Sequence, residues 1–170
     1  MLDLKNIIST IENSKHTLFI LCGFPYAGKS YVANQLQLQT DIQVVSIDDI
    51  LKAEGFDWDT NVLPNVSEWE QIFNESYEKV KDNLLQGKNV LYDSTNQTVA
   101  SRNTLRDVAD SVGADTCVVY IKTLIETVWQ RWEENQNNPR RSLVRRELVQ
   151  QTIDVFEEPT ADENPLIIEN

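Results

Sequence analysis

Apolar residues occur along this chain in two patterns, continuous runs and helical repeats. Continuous runs, which are typical of strands buried on both faces, lie at 17–22, 42–47, 89–92, 116–121 and 166–168. Helices are predicted over 2–14, 29–38, 69–85, 99–112, 124–135 and, as a basic helix, about 142–156. Residues 52–67, which contain Pro64, are predicted to be irregular. Because strands and helices alternate, the pattern predicts an α/β fold with a parallel sheet and helices on both of its faces.

The chain has the size and composition of one globular domain. It has 170 residues, of which 41% are apolar and 25% are charged. The sequence shows no internal repeat, linker or domain boundary, so we expect a single domain over 1–170, with residues 1–16 as an extra N-terminal helix. Cys22 and Cys117 each lie in an apolar run, where a thiol behaves as a small hydrophobe, and we expect both to be reduced core residues.

The net charge limits the classes of partner. Fifteen Lys and Arg residues stand against 27 Asp and Glu residues, which gives a charge of −12 at pH 7. Such a chain repels long polyanions, and we expect it neither to coat duplex nucleic acid nor to bind an anionic membrane. The N-terminal residues lack the features of a secretory signal, and no stretch is apolar for long enough to span a bilayer. The expected location is the cytoplasm.

Residues 23–30 read GFPYAGKS and fit the phosphate-binding pattern G-x-x-x-x-G-K-[ST]. Glycines let the backbone curl so that consecutive N–H groups point at phosphate oxygens, and the following helix adds the positive end of its dipole. Lys29 is expected to reach the β- and γ-phosphates of a nucleotide, and the Ser30 hydroxyl is expected to ligate Mg²⁺. The pattern follows a predicted strand and opens a predicted helix, which is the context that a phosphate-binding loop requires.

Three aspartates follow predicted strands. Asp48 and Asp49 come after the second strand, and Asp93 comes after the third. Ligands of open parallel sheets bind beyond the carboxyl ends of the strands. These acids are therefore candidates for accepting a proton from an attacking hydroxyl, or for holding the water shell of a metal ion. The alternative, which applies most to Asp49, is that the residue only caps the next helix.

Five of the seven arginines lie within 16 residues: Arg131, Arg140, Arg141, Arg145 and Arg146. Placed over a polyphosphate, such charges stabilise the charge that develops during transfer, and a helix–loop–helix that carries them can close as a lid. The alternative is a solvated helix face, which we favour for Arg145 and Arg146 taken singly. Trp129 and Trp132, on the preceding helix, are expected to pack against the protein rather than to stack on a base.

Together with the loop and the aspartate pair, the sequence DSTNQT at 93–98 makes the chain resemble the small P-loop kinases of the polynucleotide-kinase-like group, which includes chloramphenicol phosphotransferase and zeta-toxin relatives. The resemblance extends from about Thr17 to Ile168. Asp93, Thr95 and Asn96, followed six residues later by Arg102, resemble the D-x-T-N…R element of this group. The resemblance implies a three-layer α/β/α P-loop NTPase fold with a five-stranded parallel sheet and a helical lid over about 131–146, acting with ATP and Mg²⁺.

The resemblance also implies roles for individual residues. In the family, an aspartate at the end of the second strand is the general base, and the matching position here is Asp48, with Asp49 as the alternative. Catalytic roles are implied for Lys29, Asp48, Arg131 and Arg140. Nucleotide binding is implied for Gly23, Tyr26, Ala27, Gly28, Lys29, Ser30 and Arg141, the acceptor pocket for Asp93, Thr95, Asn96 and Arg102, and Mg²⁺ binding for Ser30 and Asp93.

Two departures from the family pattern bear on the substrate. Tyr26 and Ala27 stand where many relatives have Gly and Ser, and Leu51 stands where the polynucleotide kinases place an arginine that holds the acceptor's phosphate. We expect an ATP- and Mg²⁺-dependent kinase that acts on a hydroxyl of a small molecule, a nucleoside or a short 5′-hydroxyl oligonucleotide. Phe56 and Trp58 are expected to wall its acceptor pocket, or else to close a small core. The alternative functions are a nucleotide-dependent switch or binding subunit, or a simple ATPase.

Overall fold

Five parallel strands form the central sheet of the computed structural model, which describes residues 3–170. They are β1 (Thr17–Cys22), β2 (Gln43–Ser46), β3 (Val90–Asp93), β4 (Asp115–Lys122) and β5 (Leu166–Glu169). Their order across the sheet is β2-β3-β1-β4-β5, and each neighbouring pair is parallel. Because β1 lies between β3 and β4, the segment that follows β1 begins at the centre of the carboxyl edge of the sheet.

Seven α-helices connect and cover these strands in the described part of the chain. They are α1 (Lys5–Asn13), α2 (Lys29–Gln39), α3 (Ile47–Ala53), α4 (Val66–Leu85), α5 (Val99–Asp110), α6 (Ile125–Asn137) and α7 (Arg146–Asp154), with a 3₁₀ turn at Ala161–Glu163. The predicted start of the first helix at residue 2 lies outside the described residues. Over residues 3–170, no helix combines the length and the hydrophobicity that crossing a bilayer requires.

The core lies in two layers, one on each face of the sheet. Strand β1 is buried along its whole length, and its side chains alternate between the two layers. Phe19 and Leu21 belong to the layer that also contains residues of α1, α2, α6 and α7. Leu18 and Ile20 belong to the layer formed with α3, α4 and α5. This arrangement confirms the predicted three-layer α/β/α architecture with a five-stranded parallel sheet.

The two cysteines pack as apolar residues. Cys22 is buried, Cys117 is half-buried, and both are free thiols. Burial raises the pKa of Cys22 to about 11 and also raises the pKa of Cys117. At neutral pH both side chains are therefore uncharged.

The segment after the second strand differs from the sequence pattern. Strand β2 ends at Ser46 and α3 follows at once, so Asp48 and Asp49 lie in the first turn of a helix rather than in a loop. The Ser46 hydroxyl caps this helix by accepting a hydrogen bond from the Asp49 N–H (3.4 Å). The positive end of the helix dipole also favours acids at this position. The cap is therefore Ser46, and neither aspartate supplies it.

Two further helix starts also differ from the pattern. A capping box of Asn65 and Glu68 starts α4 at the end of the segment predicted to be irregular, residues 52–67. Helix α7 begins at Arg146 rather than at 142, because backbone groups of residues 142–144 form hydrogen bonds with side chains of other segments. Residues 138–145 are therefore an irregular connection between α6 and α7 and not part of a helix.

The N-terminal helix α1 is fixed to the sheet by its apolar face and by one asparagine. Ile7 and Ile11 on this helix are buried. The side chain of Asn89, which precedes β3, accepts a hydrogen bond from the Thr17 N–H (3.2 Å) and donates to the carbonyl oxygens of Ile11 (3.0 Å) and Ser14 (2.9 Å). Because this buried amide joins the end of α1 to the start of β1, the helix packs as part of the same core.

Candidate active site

The loop between β1 and α2 has the conformation that a phosphate-binding pattern predicts. Gly28 directly precedes α2 and has a φ of 100°. A Cβ atom on Gly23 would lie 2.9 Å from the carbonyl oxygen of Ile121, so a side chain there would displace backbone. Tyr26 adopts the left-handed region with a φ of 63°. The loop leads into α2, whose first turn supplies unpaired N–H groups and the positive end of the helix dipole.

Lys29 occupies the inside of this loop. Its side chain is buried, and its Nζ donates hydrogen bonds to the carbonyl oxygens of Gly23 (3.0 Å) and Phe24 (2.7 Å). Burial lowers the pKa of Lys29 to about 8, while the neighbouring Asp93 carboxylate acts in the opposite direction. The amine is therefore charged at neutral pH. Ser30 follows as an exposed residue in the first turn of α2.

Asp48 and Asp93, two of the three aspartates predicted to follow strands, border the same cavity. Asp93, the last residue of β3, is in register with Ser46, the last residue of β2, which comes two positions before Asp48. Asp93 is half-buried, and burial raises its pKa to about 6 although Lys29 opposes the increase. Asp48 is exposed, and its Oδ1 accepts a hydrogen bond from Trp58 Nε1 (3.0 Å). Both acids border the same cavity.

This first cavity, of about 720 Å³, brings most of the predicted site together. The predicted residues that line it are Tyr26, Lys29, Ser30, Asp48, Asp93, Thr95, Asn96 and Arg141. Besides Tyr26, five aromatic side chains line the same cavity: Trp58, Trp69, Phe73, Tyr77 and Tyr92. Of these five rings, only Trp58 was predicted to line the cavity, because Trp69, Phe73 and Tyr77 recur at a helical spacing that is equally typical of a core face. Phe56 packs against the core and does not line the cavity.

A second cavity, of about 1000 Å³, lies along α6 and the end of β5. Its lining includes Gly28 and Tyr31 at the start of α2, together with Arg131 and Arg140. Tyr26 lines both cavities, as does Arg141. The phosphate-binding loop is therefore bordered by two spaces, each large enough for a small molecule.

Arg131 binds the outside of the phosphate-binding loop. Its Nη1 donates hydrogen bonds to the carbonyl oxygens of Tyr26 (3.2 Å) and Ala27 (3.3 Å), and its Nη2 donates to Asn170 Oδ1 (3.2 Å). The Asn170 amide in turn donates to the Ala27 carbonyl. Asn170 lines the second cavity and was missed by sequence reasoning, because a polar residue after a short strand carries no motif.

The segment between α6 and α7 is joined to the loop through Tyr26. The guanidinium carbon of Arg141 lies 4.3 Å from the centre of the Tyr26 ring. The Tyr26 hydroxyl accepts a hydrogen bond from the Val144 N–H (3.3 Å) and donates to the Ser142 carbonyl (3.4 Å). Arg140 is exposed and borders the second cavity. It does not line the first cavity, where Asp48 and Asp93 lie.

The remaining arginines of the cluster lie away from both cavities. The Arg146 guanidinium stacks over the rings of Trp129 (4.6 Å) and Trp132 (5.6 Å). Trp132 Nε1 donates a hydrogen bond to the Val144 carbonyl (2.8 Å). This confirms that the two tryptophans pack within the protein, and it agrees with the interpretation of Arg145 and Arg146 as surface residues.

Arg102 does not line the first cavity, contrary to the expectation that it belongs to the acceptor pocket. Its side chain is fully buried and forms a two-fold ion pair with Glu163, with Nε–Oε2 and Nη2–Oε1 distances of 2.7 Å. Its Nη1 donates to the carbonyl oxygens of Asn96 and Glu157 (3.0 Å each). Because this guanidinium is fully buried and does not border the cavity, Arg102 does not reach a substrate there and instead fixes the cavity wall at Asn96.

The donor set of the first cavity fits Mg²⁺ bound together with a nucleotide. Ser30 supplies a hydroxyl and Asp93 a carboxylate, both bordering the cavity beside Lys29. Among residues 3–170, no group of three or more His, Cys, Asp or Glu side chains could hold a metal ion by itself. Mg²⁺ commonly uses one or two protein ligands and completes its shell with phosphate oxygens and water. The residues present therefore suit a phosphate-dependent Mg²⁺ site.

A family model described as chromatin associated protein KTI12 matches residues 17–167 of this chain. The match covers β1 to β4 and the start of β5, together with the phosphate-binding loop, Asp48, Asp93 and the arginine-rich segment. The comparison with curated proteins finds no match.

Solved structures show the same fold. Kti12 from Chaetomium thermophilum, in complex with ADP-AlF3, is 19% identical, with a TM-score of 0.67 over 90% of this chain and 88% of that chain. A gluconokinase from Sinorhizobium meliloti 1021 is 15% identical, with a TM-score of 0.59 over 90% and 82% of the two chains. A chain of the Pnkp1/Rnl/Hen1 complex is 25% identical, with a TM-score of 0.61, but this protein spans only 38% of its length. The predicted fold and the predicted likeness to small P-loop kinases are therefore confirmed.

Proposed function

The chain belongs to the KTI12 family, and from this premise we propose that it binds ATP with Mg²⁺ and transfers the γ-phosphoryl group to a hydroxyl of a small acceptor. The observation that carries the proposal is that the phosphate-binding loop, Lys29 and two carboxylates border one cavity of about 720 Å³. A protein that only held a nucleotide has no evident need for this space. The structural likeness to a gluconokinase supports the same reaction type.

The two cavities divide the substrates between them. The loop N–H groups and Lys29 hold the β- and γ-phosphates, and the nucleoside part lies in the second cavity near Arg131. The acceptor lies in the first cavity, with its hydroxyl beside Asp48. Arg141 lines both cavities and neutralises charge at the point where they meet.

Transfer requires one proton acceptor and a compensated leaving group. The Asp48 carboxylate takes the proton of the acceptor hydroxyl, whose oxygen forms the new bond to the γ-phosphorus. The bond from the γ-phosphorus to the bridging oxygen of ADP breaks, and the Lys29 charge balances the negative charge left on ADP. Ser30 and Asp93 would hold Mg²⁺, which would supply charge neutralisation at the phosphate oxygens.

Asp48→Asn tests the proposal. We expect this change to lower the rate of phosphoryl transfer by at least about a hundredfold and to leave MgATP affinity nearly unchanged, because it removes only the proton acceptor. The measurement is transfer of label from γ-labelled ATP to a panel of hydroxyl compounds, with nucleotide affinity determined by calorimetry.

Asp49→Asn is the matched control for this experiment. It removes the same charge one residue away, at a side chain that does not line the cavity, and should keep the transfer rate. Equal rates for Asp48→Asn and wild type would assign the base elsewhere. If labelled inorganic phosphate is the only product, water is the only acceptor. The protein is then a simple ATPase, and the kinase proposal is rejected.

A nucleotide-dependent switch is the second candidate function. The family description as chromatin associated favours it, and so do the hydrogen bonds that join Tyr26 in the loop to residues 142–144. Under this function, MgATP alone changes hydrogen exchange at 138–145, and Asp48→Asn has no effect on that change. Both candidates use the chain as one domain with a lid at about 131–146, and the cytoplasmic location stays a prediction.

A further inference from the structure

Five aromatic rings form a continuous row along the first cavity. Trp58 is followed by Trp69, Phe73, Tyr77 and Tyr92, with centroid distances of 6.2, 5.7, 6.3 and 6.3 Å between successive rings. The last three of these pairs are stacked, with interplanar angles of 26° to 29°. The row begins at the indole that hydrogen-bonds to Asp48 and ends at the residue before Asp93. The row therefore begins beside the proposed base, Asp48.

Core packing alone does not account for this row. The buried face of α4 is made by Ile72, Ser76, Val80 and Leu84. Trp69, Phe73 and Tyr77 lie four residues apart on an adjoining face, where each ring is only half-buried and lines the cavity. Tyr92 is the one fully buried ring, and its hydroxyl is satisfied by Ser76 Oγ (2.8 Å). The open side of the row thus presents flat apolar surface to whatever fills the cavity.

The cations of the cavity lie beside the phosphate-binding loop. Its only cations, within residues 3–170, are Lys29 and Arg141, and both belong to the phosphate-binding region. Apart from the aspartates, the other polar lining residues are uncharged: Ser94, Thr95, Asn96, Gln97, Thr98, Ser101, Gln151 and Thr152. Such side chains form hydrogen bonds with the polar edge of a ring, but they do not neutralise a carboxylate or a phosphate.

We propose that the acceptor is an uncharged molecule with a flat aromatic or heteroaromatic ring, which stacks on the row from Trp58 to Tyr77 and carries the hydroxyl that reaches Asp48. This inference rests on the proposed function, and it names the substrate class of that site. Stacking accounts for the aromatic row, and the uncharged polar residues account for recognition of the ring edge. A nucleoside with a free hydroxyl is one member of this class.

The same observations disfavour the other acceptor classes. A sugar acid needs a cation beside its carboxylate, and an oligonucleotide needs cations along its phosphates, yet the cavity has none beyond Lys29 and Arg141. A free sugar hydrogen-bonds through many hydroxyls and leaves a row of aromatic rings without a matching flat partner. The overall charge of −12 disfavours long anionic acceptors further.

Binding measurements with matched probes test the inference. The nucleotide site is first filled with the magnesium complex of a non-hydrolysable ATP analogue, and inosine, thymidine, tryptophol, ribose and gluconate are then titrated by calorimetry. We expect at least one of the three ring alcohols to bind at least about tenfold more tightly than ribose and gluconate, a difference typical of aromatic stacking. If ribose or gluconate binds as tightly as every ring alcohol, or if no ring alcohol binds, the inference is wrong.

Phe73→Leu locates the binding, with Phe56→Leu as the matched control. Phe73 lines the cavity, whereas Phe56 packs against the same core layer without lining it. We expect Phe73→Leu to lower the affinity for the ring alcohol about tenfold and to leave the affinity for the ATP analogue unchanged. We expect Phe56→Leu to leave both affinities unchanged. Trp69→Leu provides a second variant if Phe73→Leu does not fold. If neither variant lowers the affinity for the ring alcohol, the inference is wrong.

Label transfer separates this inference from the proposed function. Tight binding of a ring alcohol that receives no label supports the ring-binding site and rejects the kinase. Label that appears on ribose or gluconate as readily as on ring alcohols supports the kinase and overturns the inference. Label that appears on ring alcohols alone supports both.

Discussion

Replacing Glu163 with glutamine is expected to lower the free energy of unfolding by about 3 kcal/mol, because it leaves a buried guanidinium without its counter-charge. Arg102 is fully buried, and Glu163 holds it with two hydrogen bonds of 2.7 Å. Arg106 adds a third contact to Glu163, at 2.6 Å. Glutamine keeps the size of the side chain and can still form the capping box with Thr160, so the substitution removes mainly the charge.

Two independent estimates give this magnitude. Hydrogen bonds from Arg102 lower the pKa of Glu163 from 4.5 to about 2, which corresponds to about 3 kcal/mol of interaction with the charged form. The Glu163 side chain is only 7% exposed, so solvent screens this interaction little. Removal of one partner from a buried ion pair costs about 3–5 kcal/mol in other proteins. For a chain of this length, about 3 kcal/mol corresponds to a fall in melting temperature of roughly 6–12 °C.

The stability that the Glu163 charge contributes depends on pH, and this dependence distinguishes the loss of the charge from other effects of the substitution. Because the folded pKa of Glu163 lies below its ordinary value, the stabilisation is complete above pH 4.5 and is lost as the pH falls towards 2. Urea unfolding of the wild type and of Glu163→Gln should therefore differ most near neutral pH and converge in acid. Asp162→Asn, at the exposed neighbouring acid, is the control and should stay within about 0.5 kcal/mol of the wild type. A Glu163→Gln protein as stable as this control at pH 7 would refute the reasoning.

Two further predictions concern the phosphate-binding loop. Since burial lowers the pKa of Lys29 to about 8, MgATP affinity measured by calorimetry should decrease as the pH rises through about 8, and Lys29→Met should abolish that dependence; an affinity constant from pH 7 to 9.5 contradicts the role of this amine. Gly28→Ala should weaken MgATP at least about tenfold, because a Cβ at this φ of 100° lies 2.6 Å from the Asn170 amide that binds the Ala27 carbonyl. Gly87→Ala, at a φ of 76° with open space around it, should cost stability alone, and equal nucleotide affinity in both variants would show that the contact with Asn170 is unimportant.

The alternation of elements and the phosphate-binding loop were predictable from the sequence, because both depend on local signals. Strand β1 is an uninterrupted apolar run, and the pattern GFPYAGKS specifies its own turn and helix start. The position of Asp48 in a helix was not predictable in the same way. Its placement depends on Ser46 as a cap, and a serine at a strand end gives no sign of which residue the next helix begins with.

The role of Arg102 and the aromatic row depended on contacts that the sequence does not display. Arg102 lies 61 residues from Glu163 along the chain, and the motif around Asn96 gives no reason to pair them. Trp69, Phe73 and Tyr77 repeat every four residues, which is the spacing of a core-facing helix as well as of a cavity wall. Only the position of α4 against β2 and β3 distinguishes the two cases.

The Tyr26 side chain is a wall that the two cavities share. Its ring forms part of both walls, and its hydroxyl is tied to the backbone between α6 and α7, so no occupant can move it on one side without altering the other. If a nucleotide in one cavity changes the affinity of the other cavity for its ligand by some factor, that ligand must change the affinity for the nucleotide by the same factor. Under the proposed function, the affinity for the nucleotide and the affinity for the acceptor therefore have to be measured each in the presence of the other compound.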